Sequence, residues 1–505
     1  MSLSTEQWSR QFGQRPALVS VDTGIAWSFQ QLHQQVLNWA AWLSQQGVQR
    51  GDRVLWLARN RMDFFVALLA CHRQGWVLVP INWRETIDVL HQQNQLIGPR
   101  LVLFETEFES VAISLQREAN SSRINLDSMP VPPLETVPTA SETGADDPWY
   151  LLFTSGTTGI PKAVIYTPAM AMANAGNVQA ALMLTPTEVT ASVLPQYHTA
   201  GINLFALPQL MQGGAVRIYS RFDPEAFIAD LIEQRLSVLL LVPTQLRRLT
   251  ETQGFVESVS LGNCTRVLAS GGAPIDPQIL GAWAEKGVAV RNGCGMTESG
   301  PTLFFQTDAE AREAPGSVGK PMPLTEVRLV GPHGDAVADG QTGEVWVRGA
   351  AVTPGYWRNE LANQAAFSNG WYRSGDLALH DSQSGQYRMV DRVTDMYICG
   401  GENVYPADVE QTLQQHRGVQ EVAVAGEYDP TWGETGVAFV VLKPGDRTTE
   451  KELQHYAGQR LAPYKVPHRW VFLESLPQTP TGKVRRARIR SWLRSPVPMT
   501  SPSWP

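Results

Sequence analysis

Short apolar, β-rich runs alternate with helical patterns through the first two-thirds of this 505-residue chain. Residues 53–57 predict a strand, 63–73 a helix and 76–80 a second strand. This alternation is the sequence form of βαβ units built around parallel sheets. The run 238–242 reads Val-Leu-Leu-Leu-Val and is apolar throughout, as a strand covered on both faces should be. We therefore predict an α/β fold for this part of the chain.

The same pattern predicts further strands at 189–195, 215–219 and 266–269, and helical stretches at 201–211 and 224–235. The pattern changes twice towards the C-terminus. From 317 to 391, short alternating segments are separated by glycine and proline turns, which is typical of a small antiparallel β unit. After Arg392, strand and helix patterns alternate again and predict a separate α+β domain.

Composition excludes several classes of protein. No apolar run approaches the roughly 18 residues needed to cross a bilayer, and the N-terminus lacks the pattern of a secretory signal. The four cysteines form no CxxC pair, which argues against a disulfide framework or a structural zinc site and fits a reducing cytosol. The net charge of −7 argues against non-specific nucleic-acid binding. We expect a cytoplasmic protein with no nucleic-acid partner and no transmembrane segment.

The most informative motif follows a predicted strand at 149–153. It reads Thr154-Ser155-Gly156-Thr157-Thr158-Gly159-Ile160-Pro161-Lys162. Its glycines allow a tight turn that aims backbone N–H groups inward, its hydroxyls can donate to oxyanions, and its lysine adds a positive charge. These groups suit a polyphosphate. The spacing differs from the P-loop, because the glycines are three apart and Ala163 follows the lysine. The alternative is an ordinary surface hairpin.

This string resembles the signature of the ANL superfamily, which comprises acyl-CoA synthetases, adenylation domains of peptide synthetases, and luciferases. The resemblance covers nearly the whole chain, in the family's order. It implies a large N-terminal domain at 1–391, with two parallel α/β sheets and a β-barrel-like part at 317–391. It further implies a hinge at 392–395 and a small mobile α+β lid domain at 396–494, before a loose proline-rich tail at 495–505.

The resemblance also implies roles for individual residues. The residues that would bind phosphate are Thr154, Ser155, Gly156, Thr157, Thr158, Gly159 and Lys162. The residues that would bind adenine and ribose are Gly271, Gly272, Ala273, Pro274, Gly293, Cys294, Asp376 and Arg392. His198 and Gly293 would line the acyl pocket, Gly400 and Gly401 would pass the pantetheine arm of coenzyme A, and Thr394 would be the hinge pivot. The catalytic residues would be Thr297, Glu298 and Lys483.

Three of these positions have a direct chemical reason. Thr297 can donate to the α-phosphate, Glu298 offers the hard oxygen ligand that Mg²⁺ prefers, and Lys483 can bridge two anionic reactants. Three positions depart from the family pattern. Cys294 stands where an aromatic residue is usual beside the adenine, Asp391 stands where Gly is usual, and Thr394 stands where Asp or Lys is usual. Arg485, Arg486, Arg488 and Arg490 are predicted to form a solvated helix face, or alternatively to contact a phosphate of coenzyme A.

The chemistry that follows is the activation of a carboxylic acid by ATP and Mg²⁺ to an acyl-AMP with release of pyrophosphate, then thioester formation with coenzyme A. Both reactants of the first step are anionic, so positively charged groups held close to them are needed to lower the barrier. Two alternatives remain open: transfer to an amine or a carrier-protein thiol, and an inactive nucleotide-binding protein. Pocket shape decides which acid is used, and a homodimer is the default assembly.

Overall fold

The computed structural model describes residues 2–129, 139–141, 144–154, 161–263, 265–273, 275–478 and 484–494. The described residues divide into two compact units. The first unit comprises residues up to 154, 161–327 and 347–372, and the second comprises 328–346 and the residues from 373 onward. Within these ranges, no helix is both long enough and apolar enough to cross a membrane.

The first unit contains a nine-stranded sheet. Its six inner strands pair in parallel, and antiparallel strands close both edges. Burial is greatest in the inner strands Val267–Gly271 and Ala215–Ile218, whereas most of Val290–Cys294 is only half-buried. In spatial order the strands are Lys320–Pro321, Phe304–Phe305, Val290–Cys294, Val267–Gly271, Val238–Leu240, Val189–Ser192, Ala215–Ile218, Pro16–Ser20 and Ala26–Ser28.

A six-stranded sheet completes the α/β part of the first unit. Five of its strands are parallel, and the last two form an antiparallel hairpin that carries the predicted phosphate motif. In spatial order they are Ser122–Asn125, Leu101–Phe104, Arg53–Leu57, Val77–Pro80, Tyr150–Thr154 and Lys162–Tyr166. The two parallel sheets confirm the α/β fold class.

Helices of the first unit begin where the sequence supplies caps. Ser28 and Gln31 form a capping box, and Asp223 caps a helix that begins with proline. The α-helices are Thr5–Phe12, Phe29–Gln45, Asp63–Gln74, Ile87–Ile97, Glu109–Ala119, Pro168–Leu182, Ala206–Met211, Pro224–Ile232, Pro243–Thr250, Gln253–Glu257, Pro277–Glu285, Asp308–Glu313 and Glu360–Ala366. Thr106–Phe108 and Thr297–Ser299 are 3₁₀ turns.

The chain passes between the two units within three strands of a five-stranded sheet. These strands are Glu326–Val330, Gly343–Arg348 and Trp371–Asp381, and the sheet also includes Phe367–Ser368 and Gln386–Arg392. The second unit has another five-stranded sheet with strands Tyr397–Cys399, Glu402–Val404, Val419–Asp429, Gly433–Leu442 and Arg469–Phe472. Its α-helices are Pro406–Gln414, Glu450–Gly458 and Arg486–Arg494, with a 3₁₀ turn at Pro463–Lys465.

One predicted helix is divided in the structure. The stretch predicted as helical at 201–211 forms a π-helix, Ala200–Leu204, followed by the α-helix Ala206–Met211. Gly201 is the reason that the backbone can pack so closely here. A Cβ at this position would lie 2.7 Å from the carbonyl oxygen of Leu194 and closer still to that of Pro195. The predicted strand at 189–195 is correspondingly shorter and ends at Ser192.

We predict that Gly201→Ala lowers the free energy of unfolding by about 1–3 kcal/mol, because the added methyl group overpacks a backbone-lined site. Urea denaturation would measure the change. The matched control is Gly281→Ala inside the helix Pro277–Glu285, where a Cβ meets no atom within 4 Å. This control should be stabilising by roughly 0.5–1 kcal/mol. Equal effects of the two substitutions would contradict the packing argument.

Candidate active site

The antiparallel hairpin of the six-stranded sheet holds both ends of the predicted phosphate motif. Thr154 pairs directly with Lys162, and both side chains are partly buried. The Lys162 Nζ lies 5.2 Å from the centroid of the Tyr356 ring, within range of a cation–π interaction. Ser155, Gly156, Thr157, Thr158 and Gly159 lie outside the described residues, so their phosphate-binding role stays a prediction.

Thr297 and Glu298 lie in the 3₁₀ turn Thr297–Ser299, which ends at Gly300 with φ +99°. Glu298 is only 8% exposed. The hydroxyl of Tyr356 donates to Glu298 Oε1 at 2.9 Å, and the Thr353 N–H donates to the Glu298 carbonyl at 2.8 Å. Both contacts fix the turn, and the first orients the carboxylate.

The residues around this turn fit a magnesium ion that is held together with nucleotide phosphates. Mg²⁺ is commonly bound through one or two carboxylates plus substrate phosphates, and it keeps several waters. A carboxylate accepts at several lone pairs, so the Tyr356 hydrogen bond is compatible with a cation on Glu298. Across the described ranges, no three His, Cys, Asp or Glu side chains are grouped to hold a metal. A single carboxylate with nucleotide phosphates is therefore the arrangement that these residues suit.

The predicted adenine-binding residues lie at the ends of two adjacent parallel strands. Gly271 pairs with Gly293, and a Cβ on Gly271 would lie 2.5 Å from the Gly293 carbonyl oxygen. Gly272 follows with φ +85°, a conformation that favours glycine. Cys294 is partly buried and pairs with Phe304 on the antiparallel edge strand. Pro274 lies outside the described residues, whereas Ala273 is described and exposed.

His198 lies in the turn before the π-helix. Its backbone N–H donates to the carbonyl of Pro195 at 3.0 Å, and its ring lies 4.7 Å from the ring of Tyr197. Thr199, the next residue, bonds to Tyr166 across the unit, and Tyr166 also bonds to Thr297. The structure therefore links the predicted acyl-pocket segment to the predicted catalytic turn.

Tyr166 and Tyr356 are the functional candidates that the sequence did not reveal. Neither belongs to a motif that was recognised in the sequence, and the partner of each lies far along the chain. The only sequence signal is position, since Tyr166 ends the strand that follows the phosphate motif and Tyr356 follows the Pro354-Gly355 turn.

In the second unit, the two residues predicted to bind ribose contact each other. The Arg392 Nε lies 2.8 Å from Asp376 Oδ1, and the two residues are paired across adjacent strands. The Asp376 carboxylate is largely buried, and its backbone N–H donates to the Ser374 hydroxyl at 3.0 Å. The guanidinium fixes the orientation of a carboxylate that is suited to ribose hydroxyls.

The hinge residues predicted at 392–395 are held by the C-terminal helix. Arg490 donates to the Thr394 carbonyl at 3.0 Å and pairs with Asp395, while Arg486 lies 2.6 Å from Glu410 Oε2. The interpretation of these arginines as a solvated helix face is therefore wrong for Arg486 and Arg490. Both side chains pair with carboxylates that are distant in sequence. The carboxylates around Arg486 raise the pKa of its guanidinium despite its burial.

The departure at Asp391 and the predicted pantetheine turn Gly400-Gly401 each have a local structural explanation. The Asp391 carboxylate accepts from the Ala407 N–H at 2.9 Å, in the first turn of the helix Pro406–Gln414. Gly400 and Gly401, both with positive φ, form the two-residue turn between Tyr397–Cys399 and Glu402–Val404, as such hairpins require. Lys483 lies outside the described residues.

Comparison with known proteins shows the family of this chain. Residues 5–357 match the family model described as "AMP-binding enzyme", and residues 408–483 match "AMP-binding enzyme C-terminal domain". This chain belongs to the AMP-binding enzymes.

Three relatives of this AMP-binding enzyme carry informative names. Feruloyl-CoA synthase of an Amycolatopsis species is 34% identical and covers 92% of this chain and 94% of its own. Indoleacetate–CoA ligase of Aromatoleum aromaticum is 31% identical over 92% of each chain. The structure of Bacillus subtilis o-succinylbenzoate CoA synthetase with its acyl-adenylate intermediate is 28% identical, with a TM-score of 0.87 over 96% of this chain and 97% of that one.

We predict that Glu298→Gln weakens the binding of Mg²⁺·ATP about tenfold, or about 1.4 kcal/mol. This is near the lower end of the free energy that a hydrogen bond to a charged group contributes. Binding of ATP without Mg²⁺ should be no weaker, because the substitution removes a negative charge near the phosphates. Titration calorimetry with and without Mg²⁺ measures both affinities. Glu313→Gln, at an exposed site, is the control. An equal loss with and without the metal would contradict a magnesium-binding role.

We predict that Arg486→Met lowers the free energy of unfolding by about 3 kcal/mol, because it leaves the carboxylates of Glu410 and Asp395 with one cationic partner fewer. The exposed Arg488 of the same helix provides the matched control, and Arg488→Met should change stability by less than about 0.5 kcal/mol. Denaturation of both variants is measured in urea. Similar stabilities for the two would restore the solvated-face interpretation.

Proposed function

We propose that this AMP-binding enzyme is an acid–thiol ligase. It activates a carboxylic acid with ATP and Mg²⁺ to an acyl-AMP, releases pyrophosphate, and transfers the acyl group to coenzyme A. The observation that carries the proposal is the near full-length likeness to CoA ligases, one of which has been solved with its acyl-adenylate. The same relative has been solved with ATP and a magnesium ion, at 27% identity and a TM-score of 0.87.

The residues of this chain suit the first step. Attack of a carboxylate on the α-phosphorus brings two anions together, so the barrier is largely electrostatic. Thr297 would donate to the α-phosphate, Glu298 would hold Mg²⁺ against the phosphates, and Asp376 with Arg392 would hold the ribose. Lys483 would supply the positive charge between the carboxylate and the α-phosphate. The Thr154–Lys162 motif would help to hold ATP and would stabilise the departing pyrophosphate.

For the second step, Gly400 and Gly401 would give the pantetheine arm a narrow path. Rotation of the small domain about Thr394 would move Lys483 out of the active site and bring the Gly400-Gly401 turn into it. An acceptor other than coenzyme A, such as an amine or a carrier-protein thiol, is the alternative that relatives named as CoA ligases do not favour. We further propose a cytoplasmic location and a homodimeric assembly.

The experiment that tests the proposal measures pyrophosphate release with Mg²⁺·ATP and a panel of acids, each with and without coenzyme A. Aromatic acids such as ferulate and indoleacetate lead the panel because relatives act on them, and fatty acids of several lengths follow. Steady turnover that needs both one acid and coenzyme A is the expected result. Turnover that is indifferent to coenzyme A would overturn the choice of acceptor.

We predict that Lys483→Ala lowers the rate of acyl-AMP formation by about 10²–10³, the scale of losing one strong electrostatic contact to the transition state. Thioester formation from supplied acyl-AMP should stay within about threefold of the wild-type rate. Lys451→Ala, at an exposed site in the same unit, should leave both steps unchanged. Equal loss of both half-reactions would show that Lys483 is not specific to adenylation.

A further inference from the structure

Four buried side chains form a continuous series of hydrogen bonds inside the first unit. Tyr150 bonds to Asn203 at 2.7 Å, Asn203 to Thr199 at 3.1 Å, and Thr199 to Tyr166 at 2.6 Å. Tyr166 then bonds to the backbone carbonyl of Thr297 at 2.6 Å. All four side chains are at least nine-tenths buried, so each hydroxyl or amide depends on its protein partner.

Elementary chemistry gives these bonds one direction. A backbone carbonyl only accepts, so the Tyr166 hydroxyl must donate to Thr297 and has its own lone pairs left for Thr199. The Thr199 hydroxyl therefore donates to Tyr166 and accepts from the Asn203 amide. Burial raises the pKa of both Tyr150 and Tyr166, which keeps the two phenols protonated at neutral pH. Each of the three hydroxyls in the series thus donates to one acceptor.

The series joins the segments that carry the predicted chemistry. Tyr150 and Tyr166 lie on the two strands of the hairpin that holds the phosphate motif, and their rings stack at 4.6 Å. Thr199 follows His198, Asn203 lies in the π-helix, and Thr297 begins the catalytic turn. Tyr166 is the member that contacts both the acyl-pocket segment and the catalytic turn.

We propose that Tyr166 is a positioning residue for adenylation, whose hydroxyl holds Thr297 and Glu298 at a fixed distance from the segment His198–Thr199. This inference rests on the proposed function, since it assigns Tyr166 a part in that reaction. The Tyr166 hydroxyl acts through the Thr297 carbonyl rather than on a reactant. Its removal therefore affects the transition state, where alignment of carboxylate and α-phosphate matters, more than the binding of either substrate.

Three variants separate this role from ordinary core packing. Tyr166→Phe removes the hydroxyl, and Thr199→Val removes the adjoining hydroxyl at nearly constant shape, whereas Thr199→Ser keeps it. The control is Tyr219→Phe, because Tyr219 is also a buried tyrosine that donates to a side chain, that of Asp230, but belongs to no part of the series.

We expect Tyr166→Phe and Thr199→Val each to lower kcat for acid-dependent pyrophosphate release about tenfold, with the KM values for acid and ATP within about twofold of wild type. Thr199→Ser and Tyr219→Phe should keep kcat within about twofold. The double variant of Tyr166→Phe with Thr199→Val should be no slower than the slower single variant. Both substitutions break the same connection, the one between the segment His198–Thr199 and Thr297. A Tyr166→Phe kcat equal to that of Tyr219→Phe, or effects that multiply in the double variant, would overturn the proposal.

Amide hydrogen exchange provides a readout that does not depend on activity. Exchange at residues 296–300 should be faster in Tyr166→Phe and Thr199→Val than in wild type, and unchanged in Tyr219→Phe. A wild-type enzyme that releases no pyrophosphate with any acid would count against the proposed function alone. In that case, unchanged exchange at 296–300 in Tyr166→Phe would overturn the positioning role independently.

Discussion

A buried hydroxyl or amide without a partner costs free energy, so polar groups inside the first unit must satisfy one another. The hydrogen bonds from Tyr150 through Asn203 and Thr199 to Tyr166 and Thr297 meet this requirement. They also connect the two strands of the hairpin, the π-helix Ala200–Leu204 and the 3₁₀ turn Thr297–Ser299. The relative positions of the hairpin with the predicted phosphate motif, the His198 segment and the predicted catalytic turn therefore depend on a small set of directed hydrogen bonds.

Two carboxylates of the predicted site are each held by a neighbouring side chain. The Glu298 carboxylate is oriented by Tyr356, and in the second unit the Asp376 carboxylate is oriented by Arg392. Such groups need little reorganisation when a nucleotide arrives, which is the property that electrostatic catalysis requires. The C-terminal helix adds a structural role, because Arg486 and Arg490 hold acidic residues at the predicted hinge and in the helix that follows it.

Local patterns in the sequence predicted much of the fold. The strand Arg53–Leu57 forms as predicted, and the strand predicted at 238–242 forms as the shorter Val238–Leu240. Apolar runs of this kind suit strands that are covered on both faces. The π-helix at Ala200–Leu204 was missed, since apolar periodicity does not distinguish it from an α-helix. Tyr166 and Tyr356 were missed because their partners lie 131 and 58 residues away. The same reason explains the error at Arg486, which is 76 residues from Glu410.

The central claim is that the acid is activated as an acyl-adenylate, and the fate of the carboxylate oxygen tests it most directly. The acid that the enzyme accepts is labelled with oxygen-18 in its carboxylate and converted in the presence of ATP, Mg²⁺ and coenzyme A, and the products are analysed by mass spectrometry. Attack on the α-phosphorus followed by thioester formation predicts one labelled oxygen in AMP and none in pyrophosphate. Label in inorganic phosphate, or AMP without label, would contradict the account.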